Sequence, residues 1–221
     1  ICPYCGVGCG LVVKAHDGRI TEVRGDKEHP STLGAICPKG AQIGEIIRTP
    51  NRLTTAYWRA SRAEVLQPAS LDGALDHVAG RFREILRAHG PDATAFYVSG
   101  QLTTETQYVF NKLVKGAIGT NNIDANSRLC MASAASAYKL AFGCDAPPTC
   151  YEDLDLAECF LVVGANMAEC HPVLWQRIKR RAGRKRVRII VVDPRRTPTA
   201  EAAHLHLAIQ PGTDVPLLNA I

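Results

Sequence analysis

Four cysteines stand where they could jointly hold metal: Cys2-x2-Cys5-x3-Cys9, then Cys37 after a gap of 27 residues. Four thiolates satisfy a 4Fe–4S cluster or one tetrahedral zinc. A compact cysteine loop suits one face of a cubane, and a distant fourth cysteine closes it. Gly6, Gly8 and Gly10 would let the backbone come close to inorganic sulfides, where amide N–H groups tune the potential. Zinc ribbons present two Cys-x2-Cys knuckles, whereas the second half here is Cys37 alone. The spacing favours iron–sulfur, and zinc stays open as the alternative.

A second group of residues fits nucleotide binding. Gly164 follows the apolar run Cys159–Val163, and Asn166 precedes a helical pattern. Loops at the carboxyl ends of parallel strands bind nucleotides, and helix N-termini offer free N–H groups to pyrophosphate. The loop is not Gly-x-Gly-x-x-Gly, which disfavours NAD. Asp193 ends the next apolar run, where a carboxylate can accept from ribose or guanine, and Arg195 and Arg196 can pair with phosphate. Asp214, in Gln210-Pro211-Gly212-Thr213-Asp214, is a second acceptor for guanine N–H groups. Each has a plainer reading. Asp193-Pro194 can be a strand-ending turn, Thr213 can cap a helix, and Lys39 or Gln101 can be ordinary surface residues.

The elements that must position these residues are α/β in pattern. Asp17-Gly18 joins Leu11–Ala15 to Ile20–Val23 as a hairpin. Residues 57–68 read as a linker ending at Pro68. Ser70 caps a helix that stops at Gly90-Pro91, Ala93–Val98 reads as a buried strand, and Thr104–Ile118 as a helix ending at Gly119. Cys159–Val163, the helix after Pro172 and Val187–Val192 make a βαβ unit, which implies a parallel sheet. The expected layout is a small iron–sulfur domain with short strands at 1–56, an α/β segment at 57–125, and a truncated Rossmann-like α/β domain at 126–221. No internal repeat or low-complexity segment is evident.

Composition is that of a soluble globular protein: 221 residues, 46% hydrophobic, 21% charged, net charge +5. No apolar stretch is long enough to span a membrane. Nine cysteines in so apolar a chain argue against a disulfide scaffold. Cys144, Cys150, Cys159 and Cys170 lack the spacing of a second cluster and read as structural thiols; His171 reads as a satisfied structural histidine. Eight Lys or Arg fall within the twelve residues 177–188. A zinc-dependent or nucleic-acid-binding module is the non-enzymatic alternative, but no aromatic residues interleave there, and a solvated helix end is favoured. The chain opens at Ile1 without Met and stops within an apolar run, so it reads as a fragment, in which a missing leader carries no information.

The runs Cys2-Pro3-Tyr4-Cys5-Gly6-Val7-Gly8-Cys9-Gly10 and Cys37-Pro38-Lys39-Gly40 resemble the N-terminus of the bacterial molybdopterin-dependent oxidoreductases. The resemblance continues through Asn126–Ala134, Pro148–Leu154 and Gly164–Pro172. Cys130-Met131-Ala132-Ser133-Ala134 looks like the nitrate reductases, assimilatory ones first and periplasmic ones second. Formate dehydrogenases, the nearest rival, would place His where Met131 stands.

The resemblance implies a 4Fe–4S cluster on Cys2, Cys5, Cys9 and Cys37, molybdenum held by Cys130, and two molybdopterin guanine dinucleotides. A thiolate suits a thiolate-rich metal. Lys39 would bridge cluster and pterin, and Met131 would line the pocket. Gln101, Asn126, Gly164, Asn166, Met167 and Glu169 would meet pterin or phosphate, and Asp193, Arg195, Arg196, Gly212, Thr213 and Asp214 the guanosine ends. The implied reaction is nitrate to nitrite by oxygen-atom transfer, within nitrate assimilation. Implied donors are ferredoxin, flavodoxin or an NADH-linked reductase subunit. The implied compartment is the cytoplasm, or the periplasm for the second kind.

Overall fold

The computed structural model describes residues 1–184 and 186–221. Lys185, one cation of the basic run, lies outside the described residues. The chain forms two compact units, one built from 1–50 with 148–221 and the other from 51–147.

In residues 1–50, β1 (Leu11–His16) pairs antiparallel with β2 (Arg19–Gly25). Asp17 and Gly18 take φ of 48° and 71°, as a two-residue turn with both central residues left-handed requires. Two short helices follow, α1 (Pro38–Ala41) and α2 (Ile43–Arg48).

The second unit opens with β3 (Ala56–Trp58) paired antiparallel with β4 (Gln67–Ala69). The expected linker therefore contains a hairpin, with Pro68 inside its second strand. α3 (Leu71–His89) is capped as expected, with the Ser70 hydroxyl accepting from Gly73 N at 3.1 Å. The expected strand over 93–98 is shorter: Pro91–Ala93 is a 3-10 turn, β5 covers Phe96–Val98, and Tyr97 is 64% exposed. α4 (Thr104–Asn111) passes into a π-helical turn, Lys112–Ile118, that ends at left-handed Gly119. β6 (Ile123–Ala125) lies parallel to β5. Residues 126–142, to which the pattern assigns no element, form α5 (Asn126–Phe142). No residue of α3, α4 or α5 is fully buried.

The chain then returns to the first unit through α6 (Asp153–Leu156), β7 (Cys159–Val163), α7 (Met167–Cys170), α8 (Pro172–Ala182), β8 (Arg188–Val192), α9 (Pro198–Glu201), β9 (Leu205–Leu207) and α10 (Asp214–Ala220). The parallel β7–β8 pair matches expectation, and β9 extends the sheet in the same direction. β9 has only three residues, too few for a pattern of period two to register.

α8 divides two cores. Trp175 and Ile178 pack with Phe160, Val162, Ile189 and Val191 of the sheet. Val173 and, less deeply, Leu174 pack with Cys2, Val7, Cys9 and Cys37. Apolar positions at 173, 175 and 178 give one short helix two buried faces. Among the described residues, no helix is long and apolar enough to cross a membrane.

Candidate iron–sulfur and nucleotide sites

The four N-terminal cysteines converge. Cys2, Cys9 and Cys37 are buried and Cys5 is half-buried. All four line one pocket, together with Val7, Ile36, Lys39, Gly40 and Val173. Burial, and then the neighbouring Cys2, Cys5 and Cys37, push the Cys9 thiol up from its ordinary value. The four sulfurs thus lie within electrostatic reach of each other.

Cys2 N donates to Cys9 O at 2.8 Å and closes the loop, while Gly8, at φ 70°, makes the turn inside it. Gly10 has a different reason from the one expected: a Cβ there would come within 2.4 Å of His29. Four cysteine sulfurs around one pocket, with an apolar wall, are the donor set that a 4Fe–4S cluster takes.

Three long-range contacts hold this pocket within its unit. Val173 of α8 forms one wall. Lys39 Nζ donates to Glu169 O at 3.2 Å, tying the cluster segment to α7. The Tyr151 hydroxyl lies 3.3 Å from Gly6 O and 3.2 Å from Val7 O. Burial, and then the neighbouring Cys5 and Cys9, raise the Tyr151 hydroxyl above its ordinary value. Sequence reasoning placed Tyr151 in a family-like motif but assigned it no task. The contact spans 145 residues, and nothing local signals it.

The second set of expected residues gathers at the carboxyl edge of β7–β8–β9. Gly164 leaves β7 at φ 60° and its N–H donates to Val192 O at 2.9 Å. Fully buried Thr199 pins the loop that follows: its hydroxyl donates to Asn166 Oδ1 at 2.8 Å and accepts from Ala168 N at 2.9 Å. Asn166 Nδ2 donates to Glu169 Oε2 at 2.8 Å. Asn166 therefore shapes the loop with its own side chain, and Met167 is half-buried against the sheet core.

Asp193 is buried after β8, and Oδ1 accepts from Arg195 N at 2.8 Å, so the plainer turn reading holds at this oxygen. Arg195 and Arg196 are exposed on that turn. Gly212, at φ 85°, precedes α10. Thr213 stands at the cap position, but its hydroxyl donates to Gln210 O at 2.7 Å and makes no cap bond.

In the second unit, Gln101 and Asn126 follow the carboxyl ends of β5 and β6. Asn126 Oδ1 accepts from Gly100 N at 2.8 Å, and Ser99, Gly100, Asp124 and Ser127 line a cavity there. The guanidinium of Arg128, then the Ala125 amide, holds the Asp124 carboxyl below its ordinary value. Cys130 lies one turn into α5, exposed, with Sγ 3.6 Å from Ser127 O, and Met131 is also exposed. Cys144, Cys150, Cys159 and Cys170 are exposed free thiols.

The basic run has a structural use. Arg177 grips the Asp155 carboxylate through two hydrogen bonds, and Arg181 donates to Leu156 O and Ala157 O at 2.9 and 2.8 Å.

Comparison with known proteins agrees with this geometry. Residues 1–49 match the molybdopterin oxidoreductase Fe4S4 domain, and residues 52–221 match the molybdopterin oxidoreductase family. Over the whole chain, identity is 45% to a nitrate reductase of Synechocystis sp., 47% to one of Klebsiella oxytoca, and 44% to a periplasmic nitrate reductase of Desulfovibrio desulfuricans. The chain covers 32%, 25% and 29% of these relatives, respectively. In fold, 98% of the chain superposes on 30% of acetylene hydratase from Pelobacter acetylenicus, with a TM-score of 0.77 and 23% identity. The chain belongs to the molybdopterin oxidoreductase family, and its cofactors are the 4Fe–4S cluster and a molybdenum-bound molybdopterin of the guanine dinucleotide type.

Proposed function

We propose that the protein reduces nitrate to nitrite, with electrons entering through the 4Fe–4S cluster. The observation that carries this is the identity of 44–47% over the whole chain to three proteins named nitrate reductase. Cys130-Met131, where a formate dehydrogenase would carry His second, supports the same substrate.

Molybdenum held by two molybdopterin guanine dinucleotides supplies the two-electron oxygen-atom transfer. The chain's own residues bind, orient and connect. Cys2, Cys5, Cys9 and Cys37 ligate the cluster, and Cys130 is the protein ligand to molybdenum. Lys39, anchored on Glu169 O, keeps a cation beside the cluster at the loop that meets one pterin. Gly164, Asn166, Met167 and Glu169 shape that loop. Asp193, Asp214 and the Gly212-Thr213 turn meet the guanosine ends, with Arg195 and Arg196 on phosphate. Gln101 and Asn126 contact pterin, and Met131 lines the substrate pocket. In this reading 1–56 is the cluster domain, 57–125 an α/β segment and 126–221 the dinucleotide-binding domain. Ferredoxin, flavodoxin or an NADH-linked subunit is the donor.

Reduced viologen offered with nitrate, and an oxidised dye offered with formate, test the substrate in the full-length enzyme. Nitrate turnover without formate turnover is expected, and the reverse result ends this reading. Lys39→Met is expected to slow reduction of molybdenum with both cofactors present; unchanged turnover removes its role. The assimilatory, cytoplasmic form is the first reading. The Desulfovibrio desulfuricans relative favours a periplasmic form as the second, and cell fractionation distinguishes them.

A further inference from the structure

We propose that Tyr151 is a positioning residue for the iron–sulfur cluster: its hydroxyl fixes the peptide planes between Cys5 and Cys9 and thereby raises the cluster's reduction potential. The inference rests on the cluster site and is independent of the nitrate reading.

The segment that needs fixing is Gly6-Val7-Gly8. Two glycines flank one apolar residue, so the local backbone has little restraint of its own. The internal turn, Gly8 N to Cys5 O, is 3.4 Å long, at the weak end of the hydrogen-bond range. The Val7 side chain is buried at 2% exposure and anchors one point. The two carbonyls on either side of it, Gly6 O and Val7 O, share the single proton of the Tyr151 hydroxyl, at 3.3 and 3.2 Å.

Peptide planarity carries this restraint to the cluster side. In a trans peptide the N–H points opposite to the C=O. Fixing the Gly6 carbonyl therefore fixes the direction of the Val7 N–H, while the Gly8 N–H is directed at Cys5 O. Amide dipoles aimed at cluster sulfur stabilise the added electron and raise the potential.

Tyr151 is itself held firmly. Cys150 N donates to Asp153 Oδ2 at 2.9 Å, and Leu154 N to Tyr151 O at 3.2 Å. The next residues are tied to α8 through Asp155–Arg177 and through Arg181 to Leu156 O and Ala157 O. Leu154 and Ala157 pack on the sheet core. The hydroxyl is thus delivered to the cluster loop from a rigid strap.

The test is a redox titration of the cluster in the full-length holoenzyme, followed by electron paramagnetic resonance. Tyr151→Phe keeps the ring and removes the donor. With iron content unchanged, its midpoint is expected to be more negative. Poised at the wild-type midpoint, its reduced-to-oxidised ratio is expected to fall about twofold to tenfold, the factor that one ordinary hydrogen bond represents. Its signal is expected to broaden as the loop samples more conformations. Replacing Tyr151 with 3-fluorotyrosine keeps the shape and strengthens the donor, and a shift in the opposite direction is expected. A fully loaded Phe variant with the wild-type potential and line shape overturns the proposal. If the Phe variant loses its cluster, the fluorotyrosine enzyme decides, and an unshifted potential there overturns it equally.

Discussion

Two regions present cysteine thiols, and they are built in opposite ways. Around Cys2, Cys5, Cys9 and Cys37 the protein supplies all four sulfurs, an apolar wall and contacts from distant segments. Around Cys130 it supplies one exposed thiol on a helix with no fully buried residue. The first is a site the chain assembles for itself. On the proposed reading the second is a single group offered to a cofactor whose other ligands are not protein. Burial follows from this: thiols that close on a cluster are packed into the fold, while a lone ligand must stay accessible to what it binds.

Cysteine substitutions test this contrast most severely. Cys37→Ser in the full-length enzyme is expected to abolish cluster loading and to destabilise the first unit, because metal binding and folding are coupled there. Cys130→Ala is expected to keep its full iron content, to change stability by less than ~0.5 kcal/mol, and to lose nitrate turnover. Iron analysis, thermal unfolding and a viologen assay check both. Nitrate reduction by Cys130→Ala would remove it as the molybdenum ligand, and full iron in Cys37→Ser would remove the contrast.

The packing behind the first region gives the next effect. Trp175, at 3% exposure, stands on the face of α8 opposite Val173 in function, against the sheet instead of the cluster. Trp175→Ala is expected to cost about 3–5 kcal/mol, read by denaturant unfolding, and to loosen the cluster wall through α8. A normal unfolding midpoint would show that the two cores are independent.

A smaller loss is expected from Thr199→Val. The buried hydroxyl serves Asn166 Oδ1 and the Ala168 N–H, and its removal leaves both without this partner, at about 1–3 kcal/mol. Weaker retention of the pterin cofactor, measured by its release on dilution, should accompany it if the 164–170 loop holds that group.

The smallest effect is a pH dependence. Hydrogen bonding to Arg177 lowers the Asp155 pKa from its ordinary value of 3.8, with Arg180 and Arg184 adding to it. A carboxylate depressed in the folded state stabilises that state fully above its ordinary value and loses the contribution as pH falls through the depressed one. Cluster loss is therefore expected to accelerate below about pH 4, and Asp155→Asn is expected to remove that part of the acid sensitivity. An identical acid profile in the variant would detach the 150–157 strap from cluster retention.

Local physics made much of the fold legible. Ser70 before an apolar periodicity announced α3, Asp17-Gly18 announced the first hairpin, and two apolar runs announced β7 and β8. The 57–68 segment failed as a linker because strands of three residues leave no periodic mark. α5 was missed because its sequence, rich in Ala and Ser, has a weak apolar face, with none of its residues fully buried.

The sites divide the same way. Spacing alone grouped Cys2, Cys5 and Cys9, since ligands close in sequence have few ways of being far apart in space, and pointed to Cys37 as the fourth. It left iron–sulfur against zinc open, and it could not separate Lys39, Asp193 or Thr213 from ordinary surface and turn residues. Tertiary structure added contacts that spacing could not supply. It set the four sulfurs around a pocket, carried Lys39 to Glu169 O, and brought Tyr151 onto the cluster loop. Such contacts join segments separated by 130 and 145 residues. They depend on how the elements pack, and no local preference of the chain encodes that.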